Sequence, residues 1–475
     1  MARLEAAVRA GAVRQLPGGT AHRSARSLVE QYSAASFAAM ARDPHRAAAF
    51  REAIARAVMA IAAEERSASK SGPVAVVLGA GRDAPLAQMC ARAGARKVYA
   101  VEANAEAARS AVALLESIGM ADKVTVIHAW AQDLSQLPEP ADFLVAELLG
   151  ELASIEGAAG AVGHARASFL VDCEATGRCI PAAARTLVVG GTMPAFDQEC
   201  LVGPVGRVML VAAQYASAAL SESAVLEELV FDGPSTGSLG PRPEAQDEVI
   251  LPVVHSGRLE TLRLHMEYLA ATNMPWSSAL STFSHWRHVH VALDASVDVA
   301  PGDALILNWS LMEEGLMLCR VRVTFASGRD PVTCLAEPQV LDPTSLHGYE
   351  PDPAALATPT PLVVLGSGDA CWAPDGEAAL VVGYNDGQES GSASFLLQPV
   401  RADSKPIGWV PSDQVLHWRL GGCAGAVHPL AREMEEDLPL PAELCSRAAV
   451  TLRSFRTPSA GGRRRRQRSS LVERR

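Results

Sequence analysis

The apolar positions of this chain change their period along its length. Over residues 24–62 they fall at helical spacing, interrupted at Asp43-Pro44, where Asp at a cap and Pro at the first helical position open a new helix. Beyond it Phe50, Ile54, Val58 and Ile61 recur every three or four residues and predict one buried helix face. From Pro73 short, continuously apolar runs alternate with amphipathic stretches. These predict strands at Val74–Leu78, Lys97–Val101, Lys123–His128 and Phe143–Ala146, and helices at Ala84–Ala93 and Ala105–Ile118. Runs with no polar alternation suit parallel strands covered on both faces. Between residues 186 and 330 the helical period is lost. Runs rich in Val, Leu and Thr, bounded by Gly, Pro and Asp, predict strands at Thr186–Val189, Arg207–Ala212, His288–Leu293, Ala304–Trp309 and Leu318–Phe325. Such a set suits an antiparallel β-barrel. Ser217–Leu229 stands apart and reads as a helical insertion.

A Pro-bearing linker follows at Asp342–Thr360. Leu362–Leu420 then carries Trp372, Tyr384-Asn385-Asp386-Gly387 and Gly408-Trp409-Val410-Pro411, the marks of a small β module of the Src-homology-3 or Tudor kind. Its aromatics serve either a peptide ligand or the module's own core. The organisation expected is a leader with covering helices (1–70), a Rossmann-like α/β domain (71–185), a β-barrel (186–335), the small β module (361–420) and an acidic, then Arg-rich, tail (421–475).

Charge changes this picture little. The formal net charge of −11 argues against a protein that coats nucleic acid through a basic surface. The basic exception is terminal: Arg463–Arg468 reads RRRRQR, preceded by the acidic cluster Glu433–Asp437. That tail suits nuclear import, an anionic partner or simple solubility. No apolar run approaches a membrane span; Gly206–Leu220 comes nearest and is interrupted by Arg207, Gln214 and Ser217. The nine cysteines form no Cys-x-x-Cys pair, which favours a reducing compartment, cytoplasm or nucleus, over a disulfide or zinc framework. Five Arg and one acid in the first 29 residues suit a transit peptide or an Ala/Arg-rich leader.

Two features carry chemistry. The first strand runs into Gly79-Ala80-Gly81, and the second ends in Glu102, 21 residues beyond Gly81. A strand, a glycine turn, a helix and a strand-end acid form the nucleotide-binding α/β unit, in which the acid holds a ribose. The dinucleotide fingerprint's third glycine is missing and Arg82 sits in the loop, which favours S-adenosylmethionine over a nicotinamide cofactor. The second feature is DFLVAELLGELASIEG, Asp142–Gly157: an apolar strand ending in Glu147, with Glu156 nine residues later. Two carboxylates facing one cleft can grip a planar guanidinium. Taken alone, the pair also reads as a strand-end acid and an unrelated helix-surface acid.

Together these residues resemble the protein arginine methyltransferases, over roughly residues 28–325. VLGAGRDAPL, VYAVEAN and AELLGELASIEG are similar to that family's glycine motif, ribose acid and double-glutamate loop. Residues 40–46 resemble its cofactor-covering helix, and Phe283-Ser284-His285-Trp286 its Thr-His-Trp loop. The resemblance implies a Rossmann-like S-adenosylmethionine-dependent methyltransferase domain followed by an antiparallel β-barrel, with no metal. It implies that Glu147 and Glu156 orient the substrate guanidinium and that Asp43 and His285 brace the site. It places Gly79 and Gly81 under the methionine moiety, Glu102 on the ribose, Ala131 and Gln132 at the adenine, and Arg46 on the cofactor carboxylate. Phe37, Met40 and Trp286 fall on the substrate side. Taken singly, Asp43 also reads as a helix cap, His285 as a strand-face histidine and Arg46 as a surface ion-pair partner. The implied partners are Gly/Arg-rich segments or histone tails, with a homodimer whose arm would be Ser217–Leu229. The glycine loop resembles the symmetric-dimethylating branch, while Met40 and His285-Trp286 resemble the asymmetric or monomethylating branches, which leaves the product open. An inactive scaffold and a methyltransferase of another substrate are the alternatives.

Overall fold

The computed structural model describes residues 2–9, 14–15, 25–30, 32, 37, 40, 44–65, 72–196, 200–203, 206–233, 246–271, 275–277, 286–312, 314–343 and 346, and beyond them 370–372, 378–385, 394–399, 408–411 and 416–417. Asp43 and His285 lie outside the described residues. The chain divides into two compact units, Met1–Val364 with Asp386–Gly391, and Leu365–Asn385 with Ser392–Arg475.

The first unit begins with helices α1 (Ala2–Arg9), α2 (Ala25–Val29) and α3 (Pro44–Glu65), with the two-residue strand β1 (Arg14–Gln15) after α1. Phe50, Ile54, Val58 and Ile61 line the buried face of α3, as their spacing requires. Strand β2 (Val74–Leu78) follows, then helix α4 (Pro85–Ala93), strand β3 (Lys97–Glu102), helix α5 (Ala105–Ser117), β4 (Val124–His128), β5 (Phe143–Ala146), helix α6 (Ala158–Phe169) and β6 (Cys179–Ile180). The five strands form one wholly parallel sheet in the order β4-β3-β2-β5-β6. Every residue of β2 and β5 is buried, which explains their unbroken apolar runs. Chain order reverses about β2, so the carboxyl ends of β2 and β5 flank a crevice at the switch point.

The remaining strands of this unit are β7 (Ala183–Gly191), β8 (Cys200–Val202), β9 (Val208–Val211), β10 (Ala224–Val230), β11 (Gln246–Pro252), β12 (Gly257–Leu269), β13 (Pro275–Ser277), β14 (His288–Val299), β15 (Ala304–Leu311), β16 (Leu316–Thr324), β17 (Val332–Leu335) and β18 (Gln339–Leu341). They form two sheets. One has the order β1-β8-β9-β14-β12-β7-β10, with β13 beside β12; the other is β11-β15-β16-β17, with β18 on β16. All pairings are antiparallel except the short parallel edge β1–β8. A single apolar core joins the two sheets, with Val188, Leu264, Val291, Leu307 and Val321 inside it. Leu152 and Ile155 belong to the same core, so the loop after β5 is packed directly against the β domain.

The expected helical insertion at Ser217–Leu229 is instead a bridge region followed by strand β10 on the edge of β7. A bulge explains the misreading. Register shifts between Val225 and Glu227, so Leu226 and Glu227 are both buried, and Leu226 and Leu229 fall three apart as on a helix. The segment expected to form a dimer arm is part of the β domain.

In the second unit β19 (Ala370–Trp372), β20 (Ala378–Asn385), β21 (Ser394–Pro399), β22 (Gly408–Pro411) and β23 (Leu416–His417) form an antiparallel sheet ordered β22-β21-β20-β19-β23. Four strands run as a meander and the fifth returns beside the first, the strand order of a Src-homology-3 barrel.

Candidate functional site

The site is built at the carboxyl ends of β2, β3 and β5. After Leu78 the chain turns through Gly79 (φ +71°) and Gly81 (φ +69°), and the N–H groups of Gly79 and Ala80 both donate to the Val101 carbonyl, at 3.1 and 3.2 Å. A Cβ on Gly79 would stand 2.8 Å from the Glu147 carbonyl oxygen and 2.8 Å from Leu148 Cδ2, so only glycine fits between the two strand ends. Gly81 faces the Phe37 ring.

Glu102 ends β3 and is 2% exposed. Its Oε2 accepts from the Gly81 N–H at 2.6 Å and its Oε1 from the Asn104 N–H at 2.7 Å. Burial raises its proton affinity, and these backbone donors oppose the rise. Asn104, missed in the sequence reading, caps α5 through two 3.0 Å bonds from the Glu106 and Ala107 N–H groups. Its Nδ2 reaches the carbonyls of Val29, Glu30 and Tyr32 at 3.4, 3.2 and 3.4 Å, fastening the N-terminal segment over the site. An Asn directly before a helical run was the available signal. Arg26 adds a second tie: it pairs with Asp133 at 2.6 Å and lies 5.1 Å over the Trp130 ring. Ala131 and Gln132 stand on the 3-10 turn after β4, in the same cavity wall.

Glu147 and Glu156 enter the cavity from the loop after β5. Gly150 lets this loop close, since a Cβ there would meet Ile155 Cγ2 at 2.2 Å, and Gly157 (φ +74°) begins α6. Glu147 is buried and paired with Arg46 of α3, whose second nitrogen donates to the Met40 carbonyl at 3.4 Å. Arg46 is thus a buried partner of Glu147 and not a surface ion pair. Glu156 Oε1 accepts from Tyr32 Oη at 2.7 Å. Burial first, and the Glu147 charge second, push the Glu156 carboxyl up to about 8, against the Tyr32 hydrogen bond, which lowers it. Burial and the Glu156 charge hold the Tyr32 phenol well above its ordinary value.

These residues line one cavity of about 300 Å³, together with Phe37, Met40 and Glu314 from the β15–β16 hairpin. Glu314, another residue missed in sequence, accepts the Ala25 N–H at 2.6 Å at the start of α2. Trp286 lies elsewhere. It is buried, stacks edge-on against Tyr268 at 5.8 Å and donates Nε1–H to the Leu149 carbonyl at 2.6 Å. Its contact is with the backbone of the glutamate loop, behind the cavity.

The cavity thus brings the glycine turn and the strand-end acid Glu102 of the parallel sheet together with two further carboxylates, Glu147 and Glu156. Residues 24–162 match the family described as PRMT5 arginine-N-methyltransferase. Over that stretch the chain is similar to curated protein arginine N-methyltransferases. It is 35% identical over 99 residues to the probable protein arginine N-methyltransferase 6 of Arabidopsis thaliana, covering 21% of this chain and 22% of that protein. To protein arginine N-methyltransferase 7 of Drosophila ananassae it is 39% identical over 103 residues, 21% of this chain and 14% of that one. The match thus spans about a fifth or less of these relatives' length. Among solved structures, Arabidopsis thaliana protein arginine methyltransferase 10 superposes with a TM-score of 0.48 at 18% identity, over 64% of this chain and 95% of that one.

Proposed function

We propose that this protein transfers a methyl group from S-adenosylmethionine to a guanidinium nitrogen of arginine in protein substrates. The observation that carries the reading is the convergence of Glu147 and Glu156 on the cavity that the glycine turn and Glu102 also line. What supports the cofactor is that Gly79 sits where a Cβ would strike the Glu147 carbonyl, that Gly81 adds no side chain to the cavity wall, and that the buried Glu102 carboxylate lines the same cavity. Gly79 and Gly81 would face the methionine moiety, Glu102 the ribose hydroxyls, and Ala131 and Gln132 the adenine. Arg46 would offer its guanidinium to the cofactor carboxylate. When bound, S-adenosylmethionine supplies an electrophilic sulfonium methyl.

An arginine side chain is always charged at neutral pH, and its nitrogen lone pairs are delocalised, so it is a poor nucleophile. Glu147 and Glu156 answer this by holding the plane still and drawing positive charge toward the nitrogens they contact. Methylation leaves the guanidinium one proton richer than its stable cation. Glu156, whose carboxyl titrates near neutrality, is placed to take that proton. Trp286 holds the loop from behind through Leu149. Gly/Arg-rich segments or histone tails as substrates, a homodimer, residence in cytoplasm or nucleus, and a peptide ligand for the C-terminal β module belong to the same proposal.

The test is methylation of an arginine-rich peptide by the purified protein with labelled S-adenosylmethionine, with the product identified by mass fragmentation. Methylarginine is expected, and Glu147→Gln is expected to abolish it while cofactor binding persists. Measurable cofactor binding with no methylarginine would overturn the reading.

A further inference from the structure

Between Glu147 and Glu156 the chain forms turns, with no strand or helix to hold it. The separation of the two carboxylates therefore depends on what the loop is fastened to. Its middle is fastened from the β domain. The Ala153 N–H donates to Thr186 Oγ1 at 2.9 Å and the Ser154 N–H to Glu227 Oε1 at 3.2 Å. Thr186 Oγ1 in turn donates to the same Glu227 oxygen at 2.6 Å. Glu227 reaches this point because of the bulge in β10. With Leu226 as the extra residue, Glu227 falls opposite Thr186 and turns inward beside Leu226.

Glu227 is 3% exposed, and its Oε2 has no hydrogen-bond partner among the described residues. The donors of Thr186, Ser154 and Ala153 favour its charged form, and burial outweighs them to raise its proton affinity. An ionised carboxylate with one bare oxygen at that depth is costly.

We infer that Glu227 is a positioning residue, a carboxyl that pins Ala153-Ser154 with Thr186 and so sets where Glu156 stands relative to Glu147. The inference rests on the arginine-methyltransferase reading for what the two carboxylates do. Glu156 lies two residues past Ser154, too few for the loop to absorb a shift of the anchor.

The experiment compares Glu227→Gln, Glu227→Leu and Thr186→Val in the full chain. It reads kcat and KM for an arginine-rich peptide, the dissociation constant of S-adenosylhomocysteine, and hydrogen exchange at the Ala153 and Ser154 amides. Glu227→Gln keeps a side-chain acceptor of the same length and is expected within about twofold of the parent kcat. Thr186→Val, which keeps the side-chain shape, is expected to lower kcat about tenfold or more, leave cofactor affinity within twofold, and speed amide exchange about tenfold. Glu227→Leu should do the same. If Thr186→Val leaves both kcat and exchange unchanged, the inference is overturned, and a Glu227→Gln variant as inactive as Glu227→Leu overturns it too. A parent protein that makes no methylarginine sinks the proposed function instead, and the exchange rates still decide whether the anchor exists.

Discussion

Glu156 offers a direct probe of the site through pH. Its carboxyl stands at about 8. Its ionised form is the one that grips a guanidinium, so at pH 7 roughly a tenth of the free protein is competent. Below that value kcat/KM for an arginine peptide should fall about tenfold per pH unit, and above it the profile should level. Tyr32→Phe sharpens the test. The Tyr32 hydroxyl donates to Glu156 at 2.7 Å and lowers its carboxyl. A hydrogen bond to a charged group is worth about 1.5–3 kcal/mol, or about one to two pH units. The variant's profile should therefore shift alkaline by that amount, losing about ten- to a hundredfold at pH 7 and recovering toward pH 9.5. Tyr32 itself does not titrate in this range, since its phenol is held well above its ordinary value. The assay is initial-rate methyl transfer from pH 6 to 9.5, with Glu156→Gln as the control that shows no alkaline recovery. A flat parent profile, or a Tyr32→Phe midpoint that coincides with the parent's, would refute the argument. The same shift acts on folding. A carboxyl raised above its unfolded value favours the fold fully below about pH 4.5, and that contribution is lost as pH climbs through about 8. Thermal melts should accordingly slip downward across that window, and less so in Glu156→Gln.

Three further outcomes are expected. Gly79→Ala puts a methyl 2.8 Å from the Glu147 carbonyl at a positive φ, so S-adenosylhomocysteine affinity, read by calorimetry, should fall more than tenfold. Trp286→Phe keeps an aromatic ring but loses the 2.6 Å bond to Leu149, leaving a buried carbonyl bare; chemical denaturation should show a loss of about 1–3 kcal/mol, with kcat falling and cofactor affinity kept. His265 is buried against His288 and its imidazole is pushed down to about 4 by burial and then by Arg263 and Arg185. Its neutral form stabilises the fold above about pH 6.5, and that stability, about 3 kcal/mol, is lost as pH falls toward 4; His265→Gln should flatten the acid limb of urea midpoints measured between pH 7 and 4.5.

The parallel-sheet region was legible because its signals are local. Continuous apolar runs, a glycine turn and strand-end acids each occupy a few adjacent residues, and Val74–Leu78 and Phe143–Ala146 form strands over those residues. What stayed hidden is long-range or irregular. Arg46 and Glu147 lie 101 residues apart, and nothing near either announces the other. Glu314 meets Ala25 across 289 residues. The β10 bulge breaks the strand alternation and imitates a helix, concealing both the strand and Glu227. Trp286 was legible as part of a motif, but its position behind the loop follows only from the packing of Tyr268 and Leu149.

Asn104 carries one more consequence. The segment over the cavity is held by a few polar contacts: the Asn104 amide nitrogen at 3.2–3.4 Å from three carbonyls, the Tyr32–Glu156 and Ala25–Glu314 bonds, and an exposed Arg26–Asp133 pair. The glutamate loop beneath is instead packed into the apolar core through Leu152 and Ile155, so of the two the segment costs less to displace. Substitutions around Val29 and Asn104 are then expected to change how fast a ligand leaves the cavity more than the chemistry within it. Sequence drift in that roof can alter turnover without altering the chemistry.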